Sequence, residues 1–266
     1  MISLLGSFKK TFNLIKDHKS LFGMLLLIQL VFFAVFFSIQ IHYWLKIMDS
    51  SLAVMDYLGA QNFEESAIES SLMNNTNILG DDPMLVYRNA KSIIDNSIIL
   101  AFLSLLCFVA FEGSLWALTD SMLNKKRNLL SYFGKFTFLT IAYSLVLYLI
   151  LFLAFKTMSI ADTATMTAGT YVVLSLMFLF VIFIFVSFTM IGKYKLREIL
   201  KETLAGIREK WKILLPALLF TLVILALFSY VIVLIQELSF VIVLLAAIAF
   251  VFSFVFCRIF LYVVMD

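Results

Sequence analysis

Long apolar stretches constrain this chain more than any other feature of its sequence. A helix that crosses a bilayer needs about 20 predominantly apolar residues, and six stretches meet this requirement. They cover residues 21–45, 97–119, 134–156, 170–192, 213–235 and 239–264. The chain is 63% hydrophobic and 14% charged, whereas soluble domains are about 45–50% apolar and about 25% charged. The excess apolar surface must face lipid, so the sequence predicts an all-α membrane protein in which residues 1–266 form a single domain of six transmembrane helices.

Lysine and arginine in the short connections predict the orientation of these spans. They concentrate before span one, between spans two and three, and between spans four and five. The side chains predicted to contact lipid headgroups are Lys9, Lys10, Lys16, Lys125, Lys126, Arg127, Lys195, Arg208 and Lys212. Because basic connections stay in the cytoplasm, the pattern predicts a multi-pass protein of the cell membrane with both termini cytoplasmic.

Cytoplasmic segments in the N-terminal arm and between spans four and five have apolar residues at helical spacing among basic ones. The apolar positions are Leu5, Phe8, Phe12, Ile15, and then Leu196, Ile199, Leu200, Leu204, Ile207 and Trp211. This periodicity predicts amphipathic helices lying in the headgroup plane; residues 121–133 show it more weakly. IKDHKSLF (15–22) also aligns with IREKWKIL (207–214), which indicates either a repeat of three helix-hairpin units or the shared requirements of membrane insertion.

Residues 46–96 form the one long connection on the opposite side, and this external segment is acidic. Its two ends have helical apolar spacing, so we expect helices that extend from spans one and two. The stretch NNTNILGDDP (74–83) between them predicts a turn. Asn74 begins an N-x-T tripeptide, which is either a glycosylation acceptor or a chance match.

Two ionisable residues fall inside predicted spans, where charge is costly. Glu112 in span two and Arg258 in span six lie at similar distances from the cytoplasmic ends of their spans. We therefore predict that they form a buried ion pair that acts as a packing clamp. In the alternatives, Arg258 extends to lipid phosphate while a protonated Glu112 bonds to Ser104, Ser114 or Tyr143, or Glu112 belongs to a proton relay.

The stretch DSMLNKKRNLLSYFGKF (120–136) places a basic turn directly before an aromatic helix start. It resembles the central elbow of uncharacterised six-helix membrane proteins of bacteria and archaea, a group that includes the membrane domain appended to some glycerophosphodiester phosphodiesterases. The resemblance covers the layout of nearly the whole chain and implies six helices with elbows before spans one, three and five. The resemblance implies no activity, because the family has no settled activity, and this sequence has no phosphodiesterase catalytic domain.

Catalytic motifs are missing from the sequence. The two histidines, His18 and His42, lie on opposite sides of the predicted membrane, and no H-E-x-x-H or G-x-S-x-G motif is present. An enzyme is therefore disfavoured, and no cofactor or metal is predicted. A net charge of +3 without a basic cluster among aromatics also argues against nucleic-acid binding.

The function that fits best is an integral membrane scaffold or lipid-interacting protein, with membrane lipids as partners and another membrane protein as a further candidate partner. The alternative is the membrane subunit of a transporter or a channel. ETLAGIREKWKILLP (202–216) looks like the coupling loop of ABC-importer permeases, although its Glu202, Gly206 and Pro216 depart from the spacing of that loop. Pro216 is predicted to lie at a helix start.

Overall fold

The structure, a computed structural model, describes residues 4–59, 82–123, 129–158, 163–235 and 240–266. Within these ranges the chain forms seven helices and no strand. They are α1 (Leu4–Asp17), α2 (Lys19–Gly59), α3 (Pro83–Leu123), α4 (Leu129–Met158), α5 (Thr163–Met190), α6 (Leu196–Ile235) and α7 (Phe240–Met265). The predicted sites at Asn74, Lys125, Lys126 and Arg127 lie outside the described residues, as does most of the predicted 74–83 turn.

Helices α2 to α7 are each long and apolar enough to cross a membrane, which confirms the all-α fold with six spans. Each predicted span falls within one helix except at the fourth span, which ends at Met190 rather than at residue 192, and at residue 239, which lies outside the described residues. After Met190 the chain turns, because the backbone N–H groups of Lys193 and Tyr194 both donate to the Met190 carbonyl.

Helices α2 and α3 are much longer than the spans they contain. Each has 41 residues, which at about 1.5 Å per residue corresponds to about 60 Å, twice the roughly 30 Å hydrocarbon thickness of a bilayer. The extra turns run to Gly59 in α2 and begin at Pro83 in α3. The prediction that helices extend from spans one and two into segment 46–96 is therefore confirmed.

Helix α6 differs from its prediction in one respect. Residues 196–212 and span five form one continuous helix, and Pro216 lies inside it rather than at its start. A proline inside a helix leaves the carbonyl four residues earlier without its intrahelical partner. Membrane helices tolerate this where neighbouring helices and local adjustments satisfy the freed group, and α6 packs along α7.

The structure divides the chain into two compact units, and the single six-helix domain stays a prediction. Unit 2 comprises residues 32–108, and in it α2 and α3 run antiparallel. Three hydrogen bonds connect the described parts of these helices. Gln40 Nε2 donates to Ser104 Oγ at 2.8 Å, and the Ser50 and Ser92 hydroxyls are bonded at 3.0 Å. Near the other end of the pair, the Asp82 N–H donates to Tyr57 Oη at 2.9 Å. Polar contacts spaced along the helix pair fix its register.

Unit 1 comprises residues 1–31 and 109–266, and its centre is the end of α7. Every residue from Cys257 to Met265 is buried, and α1 and α6 both pack on this helix. A core cluster joins α7 to α2 and α3 through Phe22, Leu25, Leu115, Met122, Val255, Ile259 and Val263. A helix that is apolar on all sides is expected at such a central position.

Candidate functional site

The predicted partners Glu112 and Arg258 are in contact inside unit 1. Arg258 Nη2 lies 2.8 Å from both carboxylate oxygens of Glu112. Glu112 is 5% exposed and Arg258 is 3% exposed, so the pair is shielded almost completely by protein. The geometry fits the predicted packing clamp, because the guanidinium of α7 and the carboxylate of α3 each offset the cost of burying the other.

A third polar group completes this cluster. Gln29 of α2 is fully buried, and its Oε1 accepts a hydrogen bond of 2.8 Å from the same Arg258 Nη2. The cluster therefore joins three helices that are far apart in the sequence. Sequence reasoning does not single out Gln29, because it is one of several amides in the apolar stretches.

Aromatic rings enclose the guanidinium. Its Cζ lies 5.7 Å from the centre of the Trp116 ring and 5.5 Å from that of Phe254. Trp116 follows Glu112 by one helical turn, so the acid and the aromatic ring face Arg258 from the same side of α3. Such cation–π contacts gain strength when the cation is desolvated.

A second polar contact lies one turn past Arg258 on α7 and two turns past Glu112 on α3. Tyr262 donates a hydrogen bond from its hydroxyl to the carboxylate of Asp120, and both residues are buried. Glu112, Trp116 and Asp120 thus form one stripe on α3 that faces Arg258 and Tyr262 on α7. Sequence reasoning missed Asp120, because an acid close to the basic residues 125–127 is typical of a solvated surface.

Two hydrogen-bond donors in the cluster have no protein partner within the described ranges: Arg258 Nη1 and Gln29 Nε2. Buried N–H groups are almost always paired. The described residues also hold no group of three side chains suited to bind a metal. What the cluster offers chemically is therefore hydrogen-bond donation, with the charge of Arg258 already balanced by Glu112.

The predicted headgroup cations occupy a different part of unit 1. Those within the described ranges are all exposed, namely Lys9, Lys10, Lys16, Lys195, Arg208 and Lys212. Lys10 and Lys193 bind the Asp266 carboxylate at 3.2 and 2.9 Å, and Lys210 Nζ donates to the Met265 carbonyl at 2.8 Å. We call the region where Lys10, Lys193, Lys210 and Asp266 meet the basic end of unit 1.

Asp266 makes the stability of the basic end dependent on pH. Partial burial favours its neutral form, but the hydrogen bonds and charges of Lys193 and Lys10 outweigh this and hold the pKa of Asp266 below its ordinary value of 3.8. Its stabilising contribution is thus complete above pH 3.8 and disappears as the pH falls through the lower folded-state pKa. We expect Asp266→Asn to cost about 0.5–1 kcal/mol at neutral pH, as partly exposed ion pairs do.

The measurement is the melting temperature of the wild type and of Asp266→Asn in mild detergent over a series of pH values. The difference between the two proteins should be constant near neutrality and shrink below pH 3.8. A difference that grows on acidification would contradict the assignment. Asp56→Asn, which makes the same change at an exposed acid of unit 2, is the control.

Comparison with protein-family models, with curated proteins and with solved structures finds no match for this chain. The resemblance to the six-helix family and the three-hairpin repeat therefore stay predictions.

Proposed function

We propose that this chain is a non-catalytic membrane scaffold that binds anionic phospholipids at the basic end of unit 1, with that end in the cytoplasm. The six spans place the protein in a membrane. Exposed apolar and basic side chains near the basic end contact the lipid headgroups and anchor the protein in that layer.

This proposal rests on which side chains of α1 are buried and which are exposed. Its small polar residues Ser7 and Thr11 are completely buried, whereas Leu5 is 82% and Phe12 is 61% exposed. The lysines Lys9 and Lys16 on the same helix are exposed as well. A helix that presents large apolar side chains beside free lysines matches the boundary between lipid headgroups and acyl chains.

The first turns of α6 repeat this arrangement. Leu200, Leu204 and Trp211 are exposed, while Ile199 and Gly206 are buried. The exposed cations Arg208 and Lys212 lie on the same helix segment. Tryptophan is enriched at membrane interfaces, so this segment is suited to the same layer as α1.

The test uses the full chain reconstituted with equal amounts of phosphatidylglycerol and phosphatidylcholine, followed by native mass spectrometry of the lipids retained in mild detergent. We expect phosphatidylglycerol to predominate. Each lysine or arginine near an anionic surface contributes about 1 kcal/mol, which is about a fivefold change in affinity. The variant Lys9→Gln/Lys16→Gln/Arg208→Gln should therefore lose the preference by at least about fivefold.

The matched control is Lys46→Gln/Lys91→Gln, which removes exposed lysines of unit 2. It should retain the preference. Equal retention of both lipids by the wild type, or an equal loss in the control, would refute the headgroup proposal. Co-purification of a nucleotide-binding subunit would instead support the transporter alternative.

A further inference from the structure

The basic end of unit 1 brings three lysines from distant parts of the chain to one carboxylate. Lys10 Nζ lies 3.2 Å from one oxygen of Asp266, and Lys193 Nζ lies 2.9 Å from the other. Lys210 Nζ donates a hydrogen bond of 2.8 Å to the carbonyl of Met265, the residue before Asp266. Ammonium groups from α1, from the turn after α5 and from α6 therefore gather at the end of α7.

The charges in these contacts are not balanced. The Asp266 carboxylate offers one negative charge to the ammonium groups of Lys10 and Lys193. The partner of Lys210 is a backbone carbonyl, which carries only a partial charge and does not neutralise an ammonium. Three positive charges thus share one carboxylate, and an excess of positive charge is left at the basic end.

The pKa of Lys210 reflects this excess. Partial burial lowers the pKa of Lys210 below its ordinary value of 10.5, and the charge of Lys193 and then that of Lys10 add to the effect. Asp266 and, more weakly, Glu209 act in the opposite direction without reversing the shift. A further anion beside Lys210 would therefore favour its charged form.

The three ammonium groups can also bind a ligand directly. A lysine ammonium has three N–H donors and no acceptor, and each of these lysines uses one donor in the contacts given above. The Lys10 side chain is 49% exposed and that of Lys193 is 22% exposed, so an anion can reach them from outside. Partly buried charges are screened less by salt than fully exposed ones.

A phosphate monoester has the charge and the acceptors that this cluster lacks. Near pH 7 it carries a charge of about −1.5 to −2 and has three strong acceptor oxygens. Three ammonium groups can each donate to one of these oxygens in charge-assisted hydrogen bonds. A phosphodiester such as that of phosphatidylglycerol carries a single charge, so it would offset the excess only in part.

We propose that the basic end of unit 1 binds a phosphate monoester, with Lys10, Lys193 and Lys210 donating hydrogen bonds to its terminal oxygens. The inference rests on the headgroup proposal and deepens it, because it names the chemical class of the preferred anion. The monoester is carried by a lipid headgroup, as in phosphatidic acid, or by a soluble phosphate compound.

The test uses the full chain reconstituted with equal amounts of phosphatidic acid, phosphatidylglycerol and phosphatidylcholine, followed by native mass spectrometry of the lipids retained in mild detergent. One cation near an anionic surface changes affinity about fivefold, and the second charge of the monoester should bring a similar gain. We therefore expect phosphatidic acid to be retained about fivefold over phosphatidylglycerol. Calorimetric titration of inorganic phosphate into the detergent-solubilised protein forms the second arm.

Two variants that break the same ion pair should have opposite effects. Lys193→Gln removes a donor, so it should abolish the preference for phosphatidic acid over phosphatidylglycerol. Asp266→Asn removes the competing carboxylate, so it should raise this preference several-fold, a gain that a misfolded protein cannot produce. Lys195→Gln, which alters an exposed lysine two residues further on, is the matched control and should leave the preference unchanged.

The two arms distinguish the source of the monoester. A preference for phosphatidic acid assigns it to a lipid headgroup. Binding of inorganic phosphate that Lys193→Gln removes, without that preference, assigns it to a soluble compound. Absence of both would overturn the inference, and so would Lys193→Gln and Asp266→Asn changing the preference in the same direction. A wild type that still prefers phosphatidylglycerol to phosphatidylcholine would in that case leave the headgroup proposal standing.

Discussion

Replacement of Arg258 by methionine, with Glu112 left in place, is expected to lower the free energy of unfolding by about 3–5 kcal/mol, because the carboxylate stays buried without its cation. Gln29 Oε1 would lose its donor as well. Thermal or denaturant unfolding of the purified protein in mild detergent measures this loss.

The double variant Arg258→Met/Glu112→Leu distinguishes an ion-pair effect from simple loss of packing. Replacement of both members of a buried pair by apolar residues of similar size is often neutral or stabilising. We therefore expect the double variant to regain most of the stability lost in the single variant. A double variant as unstable as Arg258→Met would show that the packing of the arginine, including its contacts with Trp116 and Phe254, matters more than its pairing with Glu112.

Gly113→Ala is the second substitution with a large expected effect. A Cβ at position 113 would lie 2.9 Å from ring atoms of both Phe133 and Phe136. Phe136 is completely buried, and its ring centre is 4.5 Å from that of Phe188, so it has no room to withdraw. Overpacking of this kind costs about 1–3 kcal/mol, and it would separate α3 from α4 beside the Glu112 cluster.

Gly134→Ala is the control for this prediction. Gly134 lies on α4, and no atom lies within 4 Å of the place where its Cβ would be. The substitution should therefore be neutral or stabilise the helix by up to about 1 kcal/mol through helix propensity. Equal melting temperatures for Gly113→Ala and Gly134→Ala would contradict the close approach of α3 to α4.

The positions of the spans could be predicted from the sequence because the bilayer imposes a length and a composition on each helix. The contact of Glu112 with Arg258 could be predicted for the same reason, since both residues lie at a similar depth and each needs an opposite charge. These inferences depend on the membrane as a solvent and not on details of packing.

Other features depend on which side chains meet, and sequence reasoning missed them. Gln29 is one amide among several in apolar stretches, and only the packing of α2 against α3 and α7 selects it. The burial of Ser7 and Thr11 depends on α7 in the same way. A cavity beside Arg258 is space that the side chains of three helices leave unfilled, and such a space cannot be predicted from the spacing of residues in the sequence.

The order of the cluster along the chain has a consequence for biosynthesis. Gln29 and Glu112 are made first, and Arg258 follows Glu112 by 146 residues, a delay of roughly 7–30 s at ordinary rates of translation. During that interval the second span holds an acid in the bilayer without its cation. Arrival of α7 is then the step that locks the earlier helices together, and a nascent chain stalled before that point would present an uncompensated membrane carboxylate to quality-control proteases.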